Sequence, residues 1–192
     1  MNLYMVRHGQ SETNLARRFT GWAQVNLTEQ GIADAKRAGE YLKGISFDRI
    51  YSSDLIRAVQ TAQNAIHGCV PVQLPCLREI GLGKLEMQSI DECIACYGEP
   101  FVTHRREHNF TPYGGENQDM MENRVRSFLQ MLENDPCENA VAFAHAGTLQ
   151  TALDIVLGTR LNRSHVRCLN GSVAVFEYEE GRWMLRTWGA AL

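Results

Sequence analysis

The 192 residues are 44% hydrophobic and 21% charged, enough apolar material for one substantial core in a chain too short for two. A single globular domain over residues 1–192 is therefore expected. Lys+Arg of 19 against Asp+Glu of 22 leaves a formal charge of -3, so no overall basic field draws the chain to nucleic acid or to a membrane.

Met1 to Val6 lacks the basic lead-in, long apolar run and cleavage site of an export signal, and no stretch reaches the roughly 18 apolar residues of a membrane span. The expected location is the cytoplasm. Leu3 to Val6 reads as a buried strand ending at Arg7-His8-Gly9. Thr28 N-caps an amphipathic helix with Ile32, Ala35, Ala38 and Leu42 on one face. Asp48 to Tyr51 reads as a second strand, and Asp54 to Ile66, past Ser52-Ser53, as a second helix. Val72 to Leu74 is a short strand before a loop over Leu77 to Leu85.

Cys93-Ile94-Ala95-Cys96 is the one close pair among Cys69, Cys76, Cys93, Cys96, Cys137 and Cys168. Lacking a second such pair, it reads as semi-buried free thiols on a helix rather than a zinc or redox site. Thr103 to Glu116 is the longest irregular stretch, and Glu116 to Leu132 is helical through Met120, Val125, Phe128, Leu129 and Leu132. Ala140 to Ala144 repeats the opening pattern, a strand ending at His145-Ala146-Gly147, with a helix over Thr148 to Leu157 stopped by Gly158. Ser172 to Tyr178 and Trp183 to Thr187 form a hairpin turned at 179–182. This order implies an α/β three-layer sandwich, a mostly parallel central sheet flanked by helices.

Ligands of open parallel sheets bind outside the carboxyl ends of the strands, where this chain twice puts a histidine, His8 and His145. Each is followed closely by a glycine, His8 by Gly9 and His145 by Ala146-Gly147, which lets backbone amides approach a bound anion. Arg7 adjoins His8, and Arg57 opens the helix after the second strand. Two guanidiniums on one sheet edge can clamp a phosphate by bidentate hydrogen bonds.

Leu3-Tyr4-Met5-Val6-Arg7-His8-Gly9-Gln10-Ser11-Glu12-Thr13-Asn14 resembles the Arg-His-Gly signature of the histidine phosphatase superfamily, phosphoglycerate-mutase-like branch (branch 1). The likeness continues through Leu27 to Gly31, Tyr51 to Ala62, Leu77-Arg78-Glu79, Gly114-Gly115-Glu116 and His145-Ala146-Gly147. It implies that His8 attacks phosphorus and becomes a phosphohistidine, that Arg7, Arg57 and His145 hold the phosphoryl oxygens, and that Glu79 protonates the leaving oxygen. No metal or other cofactor is implied. Ser11 and Asn14 are implied at the phosphoryl group or the substrate rim.

The relatives' Gly-x-x-Glu-Gly becomes Gly83-Lys84-Leu85-Glu86-Met87 here, with Met87 in place of glycine, as a substrate wall or as packing. Phe19-Thr20-Gly21-Trp22 and Arg105-Arg106 resemble the mutases, where such groups hold a carboxylate-bearing substrate; Thr20, Gly21, Arg105 and Arg106 are the substrate contacts this implies. Against a mutase stands the short segment between Glu79 and His145, where mutases carry an insertion, and Tyr113-Gly114-Gly115-Glu116-Asn117 resembles the Pro-Gly-Gly-Glu-Ser of phosphatases. The expected activity is hydrolysis of a small soluble phosphomonoester, with phosphoglycerate mutase as the alternative and a non-catalytic phosphate-binding protein behind both. His67, His104, His108 and His165 read as surface or loop residues, although His104 and His108 with Arg105, Arg106 and Lys84 suggest a basic rim selecting an acidic substrate. Which phosphomonoester is used stays open, as does the oligomeric state, a homodimer included.

Overall fold

The computed structural model describes residues 1–163 and 165–191. Among them the strands are β1 (Asn2–Arg7), β2 (Arg49–Ser52), β3 (Val72–Gln73), β4 (Asn139–Ala144), β5 (Val173–Glu179) and β6 (Arg182–Ala190). The helices are α1 (Glu12–Leu15), α2 (Glu29–Leu42), α3 (Ile56–Ala65), α4 (Ile90–Arg106), α5 (Gln118–Asn134) and α6 (Ala146–Leu157). The sheet order is β3-β2-β4-β1-β5-β6. The four strands from β3 to β1 are parallel, and the β5–β6 hairpin closes the sheet antiparallel.

The central strands are apolar on both faces because both are covered. Leu3, Met5, Ala140, Ala142, Ala144 and Phe176 pack against Val125, Phe128, Leu129, Leu149 and Leu153 of α5 and α6. On the other face Val6, Val141, Phe143, Val173 and Val175 meet Ala38, Leu42 and Ala62 of α2 and α3. Three layers result, as the sequence implies. Thr28 caps α2 by accepting from the Gly31 amide at 3.1 Å, and Gly158 ends α6 with φ +67°.

A third apolar cluster lies away from the sheet, with Leu82, Leu85, Cys93, Phe101, Phe110, Tyr113 and Met121 at its centre. It holds α4, a helix that the sequence pattern marks only at Cys93 to Cys96. Only Cys93 and Phe101 are buried along its 17 residues, and Gly98, at φ +62°, kinks it two residues before Pro100. Residues 103–106 are thus its last turn rather than the start of an irregular stretch. Two residues expected on buried helical faces are exposed, Ile32 at 37% and Met120 at 48%; Gly31, Asp34 and Met121 take the inward positions instead. Cys93 is buried and Cys96 exposed, both on α4.

Candidate active site

Register brings the two histidines together. Arg7 pairs with Ala144 across the parallel β1–β4 ladder, so His8 and His145 each stand one residue beyond a matched strand end. Their ring centroids are 5.1 Å apart at an interplanar angle of 60°. His8 is 4% exposed and His145 fully buried. Nδ1 of His8 lies 2.7 Å from the Gly9 carbonyl, which can only accept. The proton therefore sits on Nδ1, and Nε2 keeps its lone pair. Burial first, then the Arg57 and Arg7 guanidiniums, hold the His8 pKa well below 6.5. Burial first, then Arg57, His8, Arg124 and Arg7, do the same to His145, so both rings are neutral near pH 7.

Arg57 sits in the first turn of α3, just past the end of β2, and is 1% exposed. Its Nη1 donates to the Ala23 carbonyl at 3.0 Å and its Nη2 to that of Gly21 at 2.9 Å. Burial lowers its pKa to about 10. Arg7 donates from Nη1 to the Cys168 carbonyl. The Nε atoms of both arginines and both ring nitrogens of His145 are buried without a protein partner. Such orphaned donors and acceptors, clustered at one place, suit an anion that takes several hydrogen bonds.

The glycines serve a different purpose from the one the sequence suggests. The Gly9 amide donates to Thr61 Oγ1 at 3.1 Å and the Gly147 amide to Glu79 Oε2 at 3.2 Å, so neither is spent on a ligand. Close approach is what requires them. A Cβ on Gly9 would fall 2.0 Å from the Gly31 carbonyl oxygen, and one on Gly147 would fall 2.1 Å from Glu79 Oε1. Glu79 Oε1 also accepts from the Ile80 amide at 2.9 Å.

These groups border a cavity of about 680 Å³ whose wall includes Arg7, His8, Asn14, Thr20, Gly21, Arg57, Glu79, Arg105 and Arg106. His145 stays beneath the wall, while its neighbours Ala146 and Gly147 reach it. Ser11 is off the wall and fully buried; it caps α1, its Oγ 3.4 Å from the Asn14 amide. Asn14 Oδ1 accepts from the Ser11 amide and from Asn170 Nδ2, each at 3.2 Å. Thr20 Oγ1 lies 2.5 Å from Thr13 Oγ1, and the Gly21 carbonyl serves Arg57.

Of the basic rim, Arg105, Arg106 and His108 line the cavity; Lys84 and His104 do not. His108 is half-buried on this wall, not a plain surface residue, and burial with Arg163 lowers its pKa. His104 Nδ1 lies 3.1 Å from the Tyr113 hydroxyl, and His67 and His165 are exposed. Met87 is off the wall and 47% exposed at φ +68°. It therefore sits in the left-handed conformation that explains a glycine there in the relatives.

Sequence reasoning did not find Arg18, Gln118, Gln150 and Arg163 on the wall. Arg163 donates to Gln150, Thr151 and Asp154, partners that α6 supplies from successive turns. Nothing local in the sequence marks that meeting. Among the described residues no three His, Cys, Asp or Glu side chains form a metal-ligating group.

The chain matches the model of the histidine phosphatase superfamily (branch 1) over residues 3–191. It is 37% identical, over 81% of its length and 80% of the relative's, to a 2,3-bisphosphoglycerate-dependent phosphoglycerate mutase of Azorhizobium caulinodans. Among solved structures it resembles a putative alpha-ribazole-5'-P phosphatase of Escherichia coli, with TM-score 0.90, 26% identity, and coverage of 100% of this chain and 98% of that one. A mycobacterial glucosyl-3-phosphoglycerate phosphatase solved with VO3 gives TM-score 0.87 at 28% identity over 98% of each chain. The match over almost every residue, with His8, Arg7 and Arg57 on one cavity wall and His145 packed beneath it, establishes that the chain belongs to branch 1 of the histidine phosphatase superfamily.

Proposed function

We propose that the chain is a metal-independent phosphomonoesterase that acts on a small soluble phosphorylated metabolite through a phosphohistidine at His8. The observation that carries this is the His8 tautomer: Nδ1–H is committed to the Gly9 carbonyl, so the free lone pair is on Nε2 of a ring on the cavity wall. In the first step Nε2 bonds to phosphorus as the bond to the leaving oxygen breaks, and the Glu79 carboxyl gives that oxygen its proton. In the second step water attacks phosphorus, Glu79 recovers a proton from it, and the P–N bond breaks to release phosphate and neutral His8. Splitting the displacement in two lowers each barrier. Arg7, Arg57 and His145 stabilise the charge on the transferred oxygens, donors of this kind being worth about 3 to 4 kcal/mol each.

Two lines of support point to different acceptors. The phosphatases among the structural neighbours cover nearly the whole chain, which favours water. The mutase relative is closer in sequence, and Phe19, Thr20, Arg105 and Arg106 on the wall suit a carboxylate-bearing substrate, which keeps the mutase reading as the alternative. A mutase must keep water from its phosphohistidine. The test is phosphate release from a panel of phosphomonoesters in chelating buffer, beside interconversion of phosphoglycerates primed with 2,3-bisphosphoglycerate. Release on the panel supports the phosphatase, interconversion without net release replaces it by the mutase, and neither would overturn both.

A further inference from the structure

We propose that Arg124, locked to Glu116, is a positioning residue that aims the Glu79 carboxyl at the leaving oxygen; the inference rests on the phosphohistidine reading of the site. The segment that carries Glu79 belongs to no strand, and side chains from elsewhere satisfy its carbonyls. Arg124 Nη1 donates to the carbonyls of Cys76 at 2.9 Å and Arg78 at 2.6 Å, and Nη2 donates to that of Glu79 at 3.0 Å. Its remaining donors form a fork on Glu116, Nε to Oε1 at 3.0 Å and Nη2 to Oε2 at 2.9 Å. The five N–H groups of a guanidinium are thereby all used inside the protein, and Arg124 is not on the cavity wall.

Glu116 completes the clamp from the other side. Its Oε2 accepts from the Gly81 amide at 2.9 Å, while its own amide donates to the Gly81 carbonyl at 2.8 Å. Trp22 Nε1 gives the Glu79 carbonyl a second donor at 2.7 Å. The pair is nearly buried, with side-chain exposures of 16% and 9%. What it sets is position. The Glu79 carboxylate must reach the Gly147 amide at 3.2 Å, yet there is no room for even a methyl group between them. A shift of the Glu79 backbone by an ångström breaks that bond or closes the gap, and such misplacements cost on the order of 10²-fold in rate.

Lysine at this position keeps the charge opposite Glu116 but offers three donors without the planar fork. The experiment is single-turnover phosphorylation of His8 in wild type, Arg124→Lys and Glu116→Gln, with an alkyl phosphomonoester and with p-nitrophenyl phosphate. The alkyl leaving group needs a proton, whereas p-nitrophenolate departs without one. A positioning role predicts a loss of about 10²-fold with the alkyl ester and less than about threefold with p-nitrophenyl phosphate. Loss of fold alone would lower both substrates together. Equal losses in whichever variants remain folded, or no loss with either, overturn the proposal. Wild type that leaves His8 unlabelled removes the reading on which it rests, a result separate from failure of the split.

Discussion

Replacing Arg57 by methionine should separate catalysis from stability. Burial lowers this guanidinium from its ordinary value to about 10. At pH 7 it is charged in the folded and unfolded chains alike, so the whole difference counts against the fold, about 3 kcal/mol. Methionine removes that cost and fills much of the space. It also removes the bonds to the Ala23 and Gly21 carbonyls at 3.0 and 2.9 Å, each worth about 1.5 to 3 kcal/mol when the donor is charged. The terms oppose each other, and the unfolding free energy should stay within about 3 kcal/mol of wild type. Catalysis has no such compensation. Losing an oriented donor to the transferred phosphoryl group should lower kcat by about 10² to 10³-fold. Phosphate release and urea melts on the same preparation test both halves. A rate within tenfold of wild type, or a fall in stability beyond about 4 kcal/mol, would refute the assignment of Arg57 as a phosphate ligand held at a cost to the fold.

Gly147→Ala places a Cβ 2.1 Å from Glu79 Oε1; turnover should fall about 10²-fold while the melting temperature holds, since alanine is otherwise favoured in a helix, and unchanged turnover would show that the contact does not matter. The folded-state pKa values of His8 and His145 are depressed below 6.5, so between about pH 6.5 and 5 the unfolded chain binds protons that the folded chain refuses. Stability should therefore fall with pH across that window, by up to about 1.4 kcal/mol per pH unit for each histidine, and His8→Ala should reduce the slope; a wild-type stability that rises on acidification would contradict the neutral assignment. Alanine at both Arg105 and Arg106 should raise KM about fivefold for esters whose leaving group carries a second negative charge, as for loss of rim contacts of about 1 kcal/mol, and leave neutral leaving groups unaffected; equal effects on both would dismiss the rim as a selector.

The histidine pair and Arg7 were legible because each stands where an apolar strand stops, and Arg57 because it opens the helix just past one; a parallel sheet aligns such stops on one edge. The strands of the sandwich were legible for the same reason, as continuous runs covered on both faces. Helix α4 was legible only at Cys93 to Cys96, because its apolar residues serve a small separate cluster and its pattern is interrupted at Gly98 and Pro100. Ile32 and Met120 follow the helical period, yet the helices turn Asp34 and Met121 inward instead. Asp34 is buried because it has work there, accepting from the Gln10 amide and from Gln30 and Arg37. The far wall was illegible in principle. Gln118, Gln150 and Arg163 meet only once α5, α6 and the segment after α6 are packed, and no spacing rule encodes that convergence.

The proposed chemistry depends above all on Nε2 of His8 taking the phosphoryl group. The most direct measurement is rapid acid-free denaturation during turnover of a phosphomonoester labelled at phosphorus, followed by peptide mapping of the bound label. The expected result is base-stable, acid-labile phosphate on the peptide containing His8, lost in His8→Ala and retained when His67 or His165 is replaced. Turnover with no label on that peptide, or label that survives His8→Ala, would contradict it.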